Sequence, residues 1–169
     1  RAYITDDVPS ADDALAGARD ILAEDISDDA AARGKLRALC FRTGVVQTKK
    51  AAEDAGVYQM YAEYEEPASR MAAHRVLAIN RGEREEALRV NIRVDDAGAQ
   101  AILRAAVARN ETPCAKQVAL AAEDAWQRLI SPSLERELRA SMTERAERAA
   151  IRVFADNLRQ LLMQPPVKG

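Results

Sequence analysis

The stretch that most constrains this fold runs from Cys114 to Met163, a single helical pattern with one expected hinge at Ser131-Pro132-Ser133. Past the hinge, apolar residues return at Leu134, Leu138, Met142, Ala146, Ala149, Ala150, Val153, Leu158, Leu161 and Leu162. That is helical spacing, with Glu and Arg filling the other faces. From Pro132 to Met163 such a helix is roughly 48 Å long at 1.5 Å per residue, a strut on which shorter elements can pack. Residues 114–142 are expected to pack on helices at 11–43 and 97–109, and the turns near Leu158–Met163 to be partly bare. Glu135–Arg139 and Glu144–Arg148 stand in the favourable i,i+4 order for surface ion pairs. The chain is 48% hydrophobic with only 4% aromatic and 31% charged residues. Alanine supplies much of the apolar share, which suits helices packed closely with solvated outer faces. The predicted fold is mainly α: a multi-helix bundle with a long C-terminal helix and a small two-stranded β element pairing about 45–49 with 88–94.

In chain order, Ser10 caps a helix predicted over 11–26, with an acid at Asp13 three residues on and an apolar face at Ala14, Leu15, Ala18, Leu22 and Ile26. Ser27 is the expected cap of a second helix, about 28–43, burying Ala32, Leu36, Leu39 and Cys40. Gly44 suits a left-handed helix end. Leu88-Arg89-Val90-Asn91-Ile92-Arg93-Val94 alternates strictly, so it predicts a strand with Arg89, Asn91 and Arg93 outward. Residues 57–64, which hold Tyr58, Tyr61 and Tyr64, read as a short helix or irregular segment; their rings suit packing more than stacking on bases. A helix over 69–81, ended by Gly82, carries the only histidine, His74. A further helix over about 97–109 is capped by Asp95 and Asp96, the next begins at Thr112-Pro113, and Trp126 is the expected core anchor. The whole is read as one module, 1–169: a helical hairpin (1–44), a small α+β insert (45–95), a long helical part (96–164), and 165–169 as a linker to a missing domain. Starting at Arg1, it reads as an excised segment.

Charge is blocked rather than mixed. Residues 1–30 carry nine acids and two bases, 31–50 six bases and no acid, 51–67 five acids and no base, and 68–93 six bases against three acids. Such blocks either build separate acidic and basic faces or neutralise one another across helix contacts. On the first reading Lys49, Lys50, His74, Arg75 and Arg81 are the candidate nucleic-acid contacts. On the other, a net charge of −2 argues against a nucleic-acid binder. No catalytic, metal or cofactor constellation is visible: there is one histidine, Cys40 and Cys114 lie far apart, and no glycine-rich phosphate loop occurs. The expectation is therefore a non-enzyme. No apolar run approaches the ~20 residues that span a bilayer, and no signal peptide is present, so a reducing cytoplasm is the expected setting, with no membrane partner.

Several stretches together resemble the bacterial Tex family of transcription accessory proteins. They are Ala14-Leu15-Ala16-Gly17-Ala18-Arg19-Asp20-Ile21-Leu22-Ala23-Glu24, then His74-Arg75-Val76-Leu77-Ala78-Ile79-Asn80-Arg81-Gly82-Glu83, Arg128-Leu129-Ile130-Ser131-Pro132-Ser133-Leu134-Glu135, and the end from Phe154 to Gly169. One departure is visible, Ala72-Ala73 where the family typically has proline and serine before the histidine. The resemblance implies the helical central region of a cytoplasmic, multidomain, nucleic-acid-binding protein, upstream of an RNase-H-like domain. It implies as partners that domain, helix-hairpin-helix units and an S1 domain, with nucleic acid bound through the parent protein, and the transcription machinery. Three readings follow: a non-enzymatic scaffold; direct RNA or DNA binding through segments 31–50 and 68–93; or a fragment of a nuclease-like enzyme whose active site lies downstream.

Overall fold

A computed structural model describes residues 3–5, 7–51, 55–107 and 114–164 of the 169-residue chain. The expected end of the helix at 108–109, the start at Thr112-Pro113 and the linker 165–169 fall outside them. In chain order the elements are α1 (Ala11–Asp28), α2 (Ala30–Thr43), β1 (Val45–Lys50), β2 (Glu63–Pro67), α3 (Ala73–Arg84), β3 (Leu88–Arg93), α4 (Asp96–Val107), α5 (Ala115–Asp124) and α6 (Ser131–Leu162). A 3-10 turn, Gly56–Tyr61, precedes β2, and a π-helical turn, Ala125–Ile130, separates α5 from α6. The fold is mainly α, as the alanine-rich periodicity predicts. The chain falls into two compact units, 1–43 with 94–136 and 44–93 with 137–169.

In the first unit α1 packs on α5 and the π-helical turn, and α2 on α4. Ser10 caps α1 as expected, its hydroxyl accepting the Asp13 N–H at 3.1 Å. The buried stripe of α1 differs from the predicted one. It runs through Ala23, Ile26 and Ser27, while Leu15 is 39% exposed. The cap of α2 is Asp29 rather than Ser27: its carboxylate accepts the N–H groups of Ala31 at 2.8 Å and Ala32 at 3.0 Å. Ser27 sits in the last turn of α1 and donates to the Glu24 carbonyl at 2.9 Å. Ala32, Leu36, Leu39 and Cys40 are buried as predicted. Gly44 does not take the left-handed conformation; Gly56 is the one described glycine that does, and Gly44 instead opens the sheet by accepting the Ala68 N–H at 2.9 Å. Trp126 is 2% exposed, and its indole N–H donates to Asp96 at 2.9 Å.

The expected hinge at 131–133 is a widened turn lying just before it. Pro132 has no N–H, so the carbonyl four residues earlier loses its usual partner. The helix responds by pairing five residues back, with the Ser131 N–H bonded to the Trp126 carbonyl. Asp124 and Ser131 both keep helical dihedrals, so the chain widens without breaking.

The second unit is built on an antiparallel sheet of order β2-β1-β3. The predicted element had two strands; the third, β2, lies partly in the segment read as irregular. It pairs Tyr64 with Thr48 and Glu66 with Val46, while β3 pairs Val90 with Thr48 and Ile92 with Val46. Successive side chains point to opposite faces, so these six residues share the inward face. α3 starts later than predicted and passes through Gly82 to Arg84. Gly82 is therefore not a terminator. A methyl group there would lie 2.8 Å from Leu88 Cδ1 and 3.0 Å from the Tyr58 ring, so the glycine marks a close approach. The turn is made by Glu86, at a left-handed φ of 57°.

α6 brings Leu138, Met142 and Ala146 to this unit. Arg139 does not pair with Glu135 as predicted. It reaches Glu83 at 2.8 Å, while Asn80 donates to Thr143 at 2.8 Å and Arg145 to the Ala68 carbonyl at 3.2 Å. Residues 137–142 thus fall in the same unit as α3, whereas 114–136 fall with the helices at 11–43 and 97–109. The Glu144–Arg148 pair forms as predicted. From Ala150 onward every described residue of the helix is exposed. At 100° per residue, Ile151, Phe154, Leu158, Leu161 and Leu162 fall on one arc, roughly opposite the stripe buried earlier in the same helix.

Candidate nucleic-acid interface

The five candidate residues do not converge. Two of them are engaged in ion pairs. α3 begins directly after the turn that follows β2, which sets Arg75 beside the inward face of that strand. Its guanidinium lies 3.0 Å from Glu66 Oε1 and 3.0 Å from the Tyr64 hydroxyl, and 6.0 Å over the Tyr64 ring. The Tyr64 hydroxyl in turn donates to Glu66. One helical end later, Arg81 donates to Glu85 at 2.8 Å, and Glu85 also accepts the Tyr58 hydroxyl at 2.8 Å. His74, the second residue of α3, is exposed and makes no hydrogen bond or ion pair among the described residues.

These contacts set the ionisation of both carboxylates. The Tyr64 hydroxyl, then the Arg75 guanidinium, holds Glu66 below the ordinary carboxylate range. The Arg81 guanidinium, then the Tyr58 hydroxyl, does the same for Glu85. Burial, then the adjacent carboxylate, raises both tyrosines. A carboxylate lowered in the folded state stabilises it above the unfolded value near ~4.3, and that contribution is lost as pH falls through the lowered folded value. The melting temperature should therefore fall as pH drops from about 5 to about 3, and Glu66→Gln should make that fall shallower. Circular dichroism melts across this range, with equal slopes for the two proteins counting against the pairing, provide the check.

The two lysines lie elsewhere. Lys49 and Lys50 are exposed at the end of β1, and neither forms an ion pair among the described residues. Lys49 has the parity of Gln47, so it projects from the outward face, opposite Arg75. On that face Lys49 stands between Glu63 of β2 and Arg89 of β3, and Gln47 between Glu65 and Asn91. Gln47 donates to Glu65 at 2.8 Å, and Arg93 also pairs with Glu65. Arg89 is exposed and unpaired among the described residues. Arg89 and Arg93 fall within the basic segment 68–93 but were not among the five named contacts. Their outward direction was legible from the alternation of 88–94; the register that sets Arg89 beside Lys49 was not.

The basic segment 31–50 divides between the two units. In its first part Arg33 donates to the Ser27 carbonyl at 3.1 Å and to Ser133 at 2.8 Å, and Arg37 lies 5.1 Å over the Phe41 ring. Tyr58 and Tyr61 are buried, and the Tyr61 and Tyr64 rings meet edge to face at 5.5 Å, so the tyrosines are used in packing. Among the described residues no three side chains gather as a metal site, and no helix is long and apolar enough to cross a membrane. A cavity in the sheet–α3–α6 core, lined by Val46, Met71, Val76, Ile79, Val90 and Met142 among others, measures about 10 Å³, barely room for one water.

Comparison with known proteins gives a single direction. A family described as Tex central region-like matches residues 1–154. The chain is 39% identical over 174 residues to the protein YdcI of Bacillus subtilis, covering 99% of this chain and 24% of that protein. It is 31% identical over 175 residues to the transcriptional accessory protein Tex of Neisseria gonorrhoeae, covering 98% of this chain and 23% of that one. It is also 31% identical over 187 residues to the human S1 RNA-binding domain-containing protein 1, covering 99% of this chain and 19% of that protein. The chain thus spans a quarter or less of the length of these relatives.

Proposed function

This chain belongs to the Tex central region-like family, and from that premise we propose that residues 1–169 act as a non-enzymatic helical scaffold within a transcription accessory protein that binds nucleic acid through its other parts. The observation that carries this reading is the engagement of Arg75 and Arg81 by Glu66 and Glu85. Guanidinium groups already neutralised by internal carboxylates gain little from a phosphate, because the new pair must first break the old one. The exposed arc Ile151–Leu162 supports the scaffold reading from the other side. An apolar arc of this kind on a polar helix suits contact with further parts of a longer protein. The partners we propose are the RNase-H-like, helix-hairpin-helix and S1 domains of such a protein, in the cytoplasm, and through them the transcription machinery.

Direct nucleic-acid binding by this module is the second reading, favoured by Lys49 and Arg89, which stand side by side on the outward sheet face and form no ion pair among the described residues. The two separate in one titration. Labelled single-stranded RNA and duplex DNA are mixed with the 169-residue chain at about 50 mM and about 200 mM salt. The scaffold reading expects no binding tighter than ~10⁻⁴ M at the lower salt. Tight binding that falls steeply at the higher salt, and that Lys49→Ala with Lys50→Ala abolishes, would replace it with the second reading.

A further inference from the structure

From Ala150 onward the side chains of α6 stand in open solvent, and there they follow a pattern of their own. Ile151, Phe154, Leu158 and Leu161 recur at intervals of three, four and three, the a/d spacing by which one helix receives another along a seam. An extended segment repeats every two residues, so this spacing fits a helical occupant. The two sides of the seam differ in charge. At 100° per residue, Arg148, Arg152 and Arg159 lie within about 40° of one another, on the side marked by Ala155 and Leu162. The other side carries Ala150 and Asn157 and no charge. Asp156 is the one acid in 149–164. Arg152 and Arg159 are exposed and form no ion pair among the described residues, and Arg148 has the surface pair with Glu144.

We propose that this seam is the seat of an amphipathic helix from another part of the same longer protein, and that this helix carries acids along the edge that meets Arg148, Arg152 and Arg159. The contact rests on the scaffold reading, whose exposed arc it fills. Charge selects the edge. A second copy of the chain offers the same three bases and one acid along its own arc, so like charge or none would face them. Area selects the source. Ile151, Phe154, Leu158, Leu161 and Leu162 are between 43% and 75% exposed, which at about 200 Å² per side chain leaves on the order of 600 Å² to cover. A free-standing complex buries about 800 Å² on each partner. A helix in the same polypeptide needs less, because its tether replaces the free concentration of a separate partner with a far higher local one. The relatives have the length to supply such a helix. The family match stops at residue 154, inside α6, whereas the similarity to YdcI runs over 99% of the chain and takes up only 24% of that protein.

Two measurements test the source and the chemistry of the occupant. Hydrogen exchange read by mass spectrometry should be about tenfold or more slower over the segment of whole YdcI that matches 151–162 than over 151–162 of the 169-residue chain, where three turns of helix without cover open readily. Equal rates overturn the proposal. The second measurement adds to the 169-residue chain a synthetic peptide of about 21 residues, with leucine in three-four spacing and glutamate on both edges. It should shift the NMR amide signals of 151–162 with a dissociation constant below about 1 mM, and a Lys-for-Glu peptide should bind about tenfold or more weakly. Arg152→Glu with Arg159→Glu, on exposed side chains, should reverse that preference without changing the melting temperature. Binding of neither peptide, or equal binding of both, overturns the proposal. So does sedimentation that shows the chain as a dimer through this helix at about 100 µM, which would make a second copy the occupant. Failure of the scaffold reading shows elsewhere, in salt-dependent RNA binding that is lost with Lys49→Ala and Lys50→Ala and leaves the amides of 151–162 unmoved.

Discussion

Leu36→Ala should lower stability by about 2–5 kcal/mol, whereas Leu161→Ala should cost less than about 0.5 kcal/mol. Both leucines hold apolar positions in helical spacing, Leu36 on a face expected to be buried and Leu161 in turns expected to be partly bare. Leu36 is fully buried in α2, so its truncation loses both transfer free energy and the contacts lining the cavity left behind. Leu161 is 64% exposed, so it has little of either to lose. Urea unfolding followed by circular dichroism measures both. A cost above ~1 kcal/mol at Leu161 would mean that the end of α6 is covered in solution by another copy of the chain. Dilution would then reduce that cost.

Trp126→Ala should cost about 3–5 kcal/mol, and Trp126→Phe clearly less. The alanine variant empties the largest side-chain site of the first unit and leaves Asp96 without the indole N–H it accepts at 2.9 Å. The phenylalanine variant keeps most of the buried ring and loses only that bond, worth about 1.5–3 kcal/mol when the acceptor is charged. Trp126 is the only tryptophan, so its fluorescence in the parent protein reports unfolding of the first unit, and circular dichroism must follow the variants. Equal losses for Phe and Ala would assign the whole effect to the hydrogen bond. A negligible loss for Phe would show that water serves Asp96 equally well.

Helices whose apolar residues keep three-and-four spacing were legible in the sequence, as at Ala32, Leu36, Leu39 and Cys40 or Leu134 to Ala146. β2 was not, because its alternation is written in Glu63, Tyr64, Glu65 and Glu66, and a hydrophobicity pattern cannot see a period carried by polar residues. Gly82 was misread because glycine ends helices through a left-handed dihedral but also serves where no side chain fits, and only the neighbours distinguish these uses; Gly44 follows α2 without taking that dihedral. The candidate contacts were chosen by charge. Charge along a chain does not say which arginines are already matched, and Glu66 reaches Arg75 only because β2 exists. The bare end of α6 was anticipated near Leu158–Met163, but the change of side was not. Apolar residues continue in helical spacing through the point where the arc turns.

The clearance at Gly82 has a consequence that reaches beyond this one chain. Positions 58, 82 and 88 share a single fixed volume, filled here by a tyrosine ring, a hydrogen atom and a leucine methyl. Exchange among relatives is then a trade between three sites and not a free choice at one. A side chain at position 82 is then expected to go with a shifted or smaller side chain where Leu88 or Tyr58 stands. If Tyr58 is the residue that shrinks, Glu85 loses its hydroxyl partner with it, so a packing change in the core would be written as a charge change on the surface.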